Sequence, residues 1–162
     1  MRQTPDIHEI QPGLWLGPCP RSPEFIRALR EDYGIDGLVS VQTDHDLQAM
    51  GLSWAVLWRV LMARDVAATR VPVVDFDDDS LRNGLTDAVQ AVQSMRAAGR
   101  TTYVHCSIGV NRSPTVVIAW LVKHGGLSLE QAWQLVKERR PQVMPNHLAL
   151  TAWLQSQGLR PR

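Results

Sequence analysis

The sequence predicts an α/β domain with a central mixed β-sheet and helices on both faces. Three observations carry this. Short β-branched and apolar runs alternate with helical runs through the first two thirds of the chain, and the last third is helical throughout. A β-rich run, Thr101 to Val104, enters a tight polar loop that is left by an apolar helical run, Thr115 to Val122. The length, 162 residues, suits a single domain over 1–162 with its core at about 7–157 and no separate binding module.

Taken in order, Ile7 to Ile10 and Leu14 to Leu16 read as short strands broken by Pro12-Gly13. Ser22-Pro23-Glu24 opens a helix that runs to about Tyr33 and stops at Gly34. Gly37 to Val41 is a buried strand, followed by a short helix from Asp44 and a longer one from Trp54 to Arg64. Val71 to Val74 is read as a strand ending at Asp75, and Thr86 to Ala98 as an amphipathic helix ending at Gly99. Thr101 to His105 is the next strand. Helices then follow over Ser113 to His124, Leu129 to Arg140 and Asn146 to Gln157, the second capped by Ser128 and Gln131.

Composition narrows the function classes. A net charge of +1 gives no basic footprint for nucleic acid. No apolar run approaches the roughly 20 residues that cross a bilayer, and Met1 to Gln11 lacks the apolar stretch of a signal peptide. Two cysteines argue for a reducing compartment rather than a disulfide framework. The expectation is a cytoplasmic monomer with no membrane or nucleic-acid partner.

The segment His105-Cys106-Ser107-Ile108-Gly109-Val110-Asn111-Arg112-Ser113 carries the chemistry. A strand, a tight loop and a helix start together cradle a tetrahedral dianion, because a helix N-terminus offers unpaired N–H groups and a positive dipole end. Pro114 fits the first turn, where its missing N–H is not needed. Cys106, at that helix start and beside Arg112, is expected to favour the nucleophilic thiolate. The planar guanidinium of Arg112 can grip two phosphate oxygens at once. Gly109 lets the loop turn its N–H groups inward, so Ser107, Ile108, Gly109, Val110 and Asn111 form the phosphate loop with Arg112. The Ser113 hydroxyl can donate to the Cys106 sulfur when it leaves phosphorus. His105 is read as a structural histidine bonded around the loop rather than a proton donor. Cysteine-x5-arginine alone is weak, but adding the His, Gly and Ser lowers chance to roughly one in 10⁵ per cysteine at average usage. The residues therefore point to a cysteine nucleophile for phosphate monoesters, needing neither metal nor cofactor.

This segment resembles the phosphate loop of the cysteine-based protein tyrosine phosphatases, whose pattern is His-Cys-x5-Arg-Ser/Thr. The short chain and the Arg-Ser-Pro leading into an apolar helix look like the dual-specificity branch. Within it, Leu14-Trp15-Leu16-Gly17-Pro18-Cys19-Pro20-Arg21 is similar to the opening of the laforin-type phosphatases. Gln42-Thr43-Asp44-His45-Asp46-Leu47, and Asp75-Phe76-Asp77 with Leu81-Arg82, are similar to stretches of the laforin and starch-excess-type glucan phosphatases. The loop departs from that branch, with Ile108 in place of an alanine and Asn111 in place of a glycine. Asparagine tolerates left-handed backbone, so the loop is still expected to close. The resemblance implies a dual-specificity-phosphatase-like fold and a phosphorylated glucan or a phosphoprotein as substrate, with a lean towards glucan; the alternative of another class is a catalytically inactive phosphate-binding scaffold with the same fold.

The leaving group needs a general acid. Asp75 follows a strand 31 positions before Cys106, as the resembling family places it, with Asp77 and Asp78 as alternatives in the same acidic turn. Trp54 and Trp58 share a helix face, which either packs on the core or, with Phe76, forms a stacking platform for sugar rings. Trp120, Trp133 and Trp153 read as core, and Cys19 as a small apolar filler. A redox partnership of Cys19 with Cys106 would require α-carbons within about 7 Å.

Overall fold

Strands covered on both faces are buried at every position, and the two central strands of this chain meet that condition although they carry polar residues (Ser40, Thr102, His105) beside their apolar ones. In the computed structural model, which describes residues 4–75 and 77–159, β1 (His8–Gln11), β2 (Leu14–Gly17), β3 (Gly37–Ser40), β4 (Ala67–Arg70) and β5 (Thr102–His105) form one sheet. Their order is β1-β2-β5-β3-β4, with β1 antiparallel to β2 and all other pairs parallel. β3 and β5 are buried at every position. Alternation along them sorts side chains into two layers. Val39 and Val104 face α4 (Asp78–Ala97), α5 (Arg112–Lys123), α6 (Leu129–Arg139) and α7 (His147–Ser156). Leu38 and Tyr103 face α1 (Pro23–Glu31), α2 (Asp44–Ala49) and α3 (Trp54–Ala63). The expected mixed sheet with helices on both faces is therefore observed.

The helix starts follow from capping chemistry. Ser22 accepts from the Phe25 N–H at 3.1 Å, and Ser128 with Gln131 closes a full capping box at the head of α6. Trp153 is fully buried and Trp120 nearly so, while Trp133 packs against the same core. No helix among the described residues is long and apolar enough to cross a membrane.

Two elements differ from the sequence expectation. The edge strand is Ala67–Arg70, not Val71 to Val74. Asp65 turns the chain in a left-handed conformation (φ 59°) directly after α3, so pairing with β3 begins at once in the register Gly37 with Ala67. The strand, Ala-Ala-Thr-Arg, is only partly covered and carries little apolar alternation. Val71 and Val73 N–H groups still reach the Ser40 and Val41 carbonyls, but Pro72 between them has no N–H to extend the ladder.

The second difference is α4, which starts at Asp78 rather than Thr86. Asp77 caps it by accepting from the Ser80 N–H at 2.9 Å. Gly84 lies inside this helix, and Val73 packs closely against it. A Cβ on Gly84 would sit 2.7 Å from Val73 Cγ2. Alanine would add about 1 kcal/mol of helix propensity, but overpacking against a short branched side chain costs about 1–3 kcal/mol. Gly84→Ala should therefore be net destabilising in denaturant titration; a variant more stable than wild type would show that Val73 yields freely.

Candidate active site

β5 delivers Cys106 at its carboxyl end, and α5 begins six residues later at Arg112. In an open α/β sheet this carboxyl edge is where ligands bind. Cys106 is buried, with its Sγ 3.1 Å from Ser113 Oγ and 3.3 Å from the Gly109 N, whose hydrogen points at the sulfur. Gly109 has φ 69°, and a Cβ there would sit 2.5 Å from the Gly17 carbonyl carbon, so only glycine fits both the backbone conformation and the space.

Arg112 is 1% exposed and reaches across the sheet edge. Its Nη1 donates to Asp46 Oδ2 and to the Val73 carbonyl, both at 2.7 Å, and its Nη2 donates to Ser107 Oγ at 3.1 Å. Burial opposes ionisation of Asp46, but hydrogen bonds from Arg112 and from the Thr43 N–H outweigh it and hold the carboxyl below its usual range. Arg112 Nε lies 3.4 Å from Asp75 Oδ1 and makes no hydrogen bond among the described residues. A buried donor left over in this way is one that an oxyanion can satisfy. Asp75, Cys106 and Arg112 line one cavity of about 320 Å³, whose other walls include Ile108, Met144 and Pro145. A recessed sulfur, an inward Gly109 N–H and a held guanidinium beside a carboxyl can bind a tetrahedral oxyanion and attack it in line.

The profile for the dual specificity phosphatase catalytic domain matches residues 14–156. The chain belongs to the dual-specificity phosphatase family. It is 26% identical to mouse laforin over 158 residues, covering 91% of this chain and 48% of laforin. It is 29% identical to human dual specificity protein phosphatase 12 over 140 residues, covering 85% of this chain and 37% of that protein. The chain thus spans less than half the length of these curated relatives. Among solved structures, a mouse putative dual specificity phosphatase complexed with zinc tungstate aligns over 100% of this chain and 96% of its own, at TM-score 0.74 and 28% identity.

Within this dual-specificity phosphatase domain the acidic turn resolves into separate contacts. Asp77 caps α4, Asp78 accepts from the Asn146 side chain at the head of α7, and Asp79 pairs with Arg82. Asp75 is the member of the turn that lines the cavity. Phe76 lies outside the described residues. Trp54 and Trp58 do not line the cleft. Leu57 and Leu61 form the buried face of α3, Trp58 is 43% exposed, and Trp54 is half-buried beneath the Arg70 guanidinium, 5.6 Å from its ring centre. Trp54 lines a separate cavity of about 360 Å³ with Asp44, Gln48 and Arg70.

Asp46 and Gln42, the latter donating to Ser107 Oγ at 3.2 Å, were not assigned a role from sequence. The sequence signal at Asp46 is its place in the Thr43-x-x-Asp46 capping box, whose Oδ2 accepts from both the Thr43 N–H and Arg112 Nη1. Cys19 is buried in the Tyr103 layer, whereas Cys106 belongs to the Val104 layer, and both are free thiols. Burial pushes the Cys19 thiol up to about 12, as befits an apolar filler.

His105 is fully buried, stacks on Tyr103, and its Nδ1–H donates to the Cys106 carbonyl at 2.9 Å. Burial lowers its pKa to about 4, so the ring is neutral and structural. The unfolded chain then binds a proton that the folded chain refuses between about pH 6.5 and 4. Stability from this group is full above that window and falls by about 3 kcal/mol as pH drops through it. His8 and His124 are shifted the same way, so wild type should be compared with His105→Gln. The variant's unfolding free energy should depend less on pH between 6.5 and 4; an unchanged slope would refute the assignment.

Proposed function

We propose that this domain hydrolyses phosphate monoesters through a cysteinyl-phosphate intermediate. The observation that carries the reading is the Cys106 sulfur facing the Gly109 N–H and Ser113 Oγ beside a buried, pre-positioned Arg112. Cys106 thiolate attacks phosphorus while the Arg112 guanidinium and the loop N–H groups hold the equatorial oxygens. The ester oxygen leaves with a proton from the Asp75 carboxyl. Water then attacks the phosphocysteine, Asp75 takes the water's proton, and the thiolate departs towards the Ser113 hydroxyl. Placement in the cavity supports Asp75 as the acid, since Asp77 and Asp78 serve helix ends. A related mouse structure is complexed with zinc tungstate, which supports oxyanion binding by a domain of this fold.

The cleft mouth supports a phosphoprotein substrate. Ile108 and Met144, 62% and 70% exposed, flank the nucleophile and offer apolar contacts to a phosphorylated side chain and its neighbours. A phosphorylated glucan is the second reading, favoured by the half-buried Trp54 with Arg70, Asp44 and Gln48, a mix of ring face and polar groups that suits sugars. Phosphate release from phosphotyrosyl and phosphoseryl peptides, compared with phosphorylated glycogen, decides between them. Trp54→Ala should slow only the glucan reaction if the second reading holds, because remote binding energy helps only substrates that reach it.

Cys106→Ser should abolish turnover while oxyanion binding survives. Retained turnover would end the proposal. Asp75→Asn should slow an alkyl phosphate by about 10²-fold or more, and an activated aryl phosphate far less. The same pattern in Asp78→Asn, with Asp75→Asn normal, would move the acid along the turn.

A further inference from the structure

A loop that binds a dianion through backbone N–H groups must hold its carbonyls on the opposite side. Each trans peptide is planar, so a carbonyl turned away from the cleft turns the next residue's N–H towards it. Four consecutive carbonyls of the phosphate loop are held from behind. Ser107 O accepts from the Cys19 N–H at 3.0 Å and Val110 O from the Met144 N–H at 2.7 Å. The two between them are held by one side chain. Arg140 donates from Nη2 to Ile108 O at 3.1 Å and from Nε to Gly109 O at 2.8 Å.

We propose that Arg140 is the positioning residue of the phosphate loop, setting the Gly109 and Val110 N–H groups towards the oxyanion from outside the cleft. This rests on the phosphatase reading of the same loop. One consequence is already visible, because the Gly109 N–H points at Cys106 Sγ. Pro141 disfavours helical backbone at Arg140, which ends α6 at φ −135° and ψ 86°. From there its side chain, 1% exposed, enters the space behind the loop. The far edge of the guanidinium is fixed as well, with Nη1 donating to Asp6 O at 2.7 Å and to His8 Nδ1 at 3.0 Å. The Gly109 backbone and Arg140 fit closely enough that a Cβ on Gly109 would sit 2.8 Å from Nη2. Lysine would keep the charge but could not span two carbonyls with a fixed fork.

The test is tungstate affinity, measured by calorimetry on Arg140→Lys and Arg140→Met well below their melting points. kcat and KM for an aryl phosphate are measured alongside. Misaligned loop donors should weaken tungstate binding and lower kcat/KM by about 10²-fold, in line with the loss of oxyanion-hole donors. Arg140→Lys should lose nearly as much as Arg140→Met if geometry rather than charge matters. A residue that only supported the fold would lower the melting point and leave tungstate affinity unchanged, and that result overturns the proposal. If neither variant folds, His8→Leu removes one acceptor of Nη1 and leaves the loop sequence intact. It should weaken tungstate binding about 3-fold by loosening the fork; unchanged affinity overturns the proposal. Wild type that binds tungstate but releases no phosphate would remove the phosphatase reading alone, because the binding comparison does not use turnover.

Discussion

The pairing of Arg112 with Asp46 and the Val73 carbonyl is the contact on which the rest of the site depends. A guanidinium with 1% exposure is costly unless its donors are met. Nη1 meets two acceptors from segments that follow β3 and β4, so a residue at the head of α5 joins three stretches of chain. The second acceptor matters for Asp75, the proposed acid. Val73 is two residues before Asp75, so the bond that positions Arg112 also fixes where the acidic turn departs from the sheet edge. Gly84 completes this by allowing Val73 to lie against α4. The phosphate binding proposed for Arg112 and the leaving-group protonation proposed for Asp75 thus share one geometric reference.

The layer structure explains why these segments meet. β5 lies between β2 and β3, and the carboxyl ends of all three come to one edge. The segments leaving these three strands therefore lie side by side. Cys19 comes after β2, Gln42 and Asp46 after β3, and Cys106 after β5; Cys19 and Gln42 both contact Ser107, through its carbonyl and its hydroxyl respectively. A sequence separation of 65 residues becomes a hydrogen bond because the parallel register puts Ser40 opposite His105.

The same geometry divides the residues that can be read alone from those that cannot. The strand, loop and helix around Cys106 were legible because they are contiguous, and each residue type has a local reason to be there. Arg112, Ser113 and Gly109 fall where their spacing implied. Asp46 and Arg140 were not legible as functional, because a capping carboxylate and a helix-ending arginine each have an ordinary local explanation. Their second roles exist only across the sheet edge. The edge strand is hidden from the sequence for a similar reason: Ala67–Arg70 pairs by register with β3 and carries little apolar pattern of its own. Conversely, Trp54 and Trp58 have the spacing of one helix face, yet only Trp54 packs partly against the Tyr103 layer while Trp58 is exposed, and Leu57 and Leu61 take the core side of α3.

Two buried arginines divide the work of the loop, and their environments differ accordingly. Arg112 keeps a donor, Nε, without a hydrogen-bond partner among the described residues, 3.4 Å from the Asp75 carboxylate. Arg140 has all three nitrogens engaged, by Gly109 O, Ile108 O, Asp6 O and His8 Nδ1. Its nearest carboxylate, Asp6, is 62% exposed at 3.4 Å, so an ion pair offsets little of the several kcal/mol that burying the charge costs. The offset comes instead from charge-assisted bonds to carbonyls, each worth about 1.5–3 kcal/mol. Two of those carbonyls belong to the loop itself. The energy that keeps Arg140 buried is therefore the same energy that keeps the loop amides turned to the cleft. Relaxing the loop would leave a buried cation short of acceptors, which is why a flexible, glycine-containing turn can stay ordered around the nucleophile.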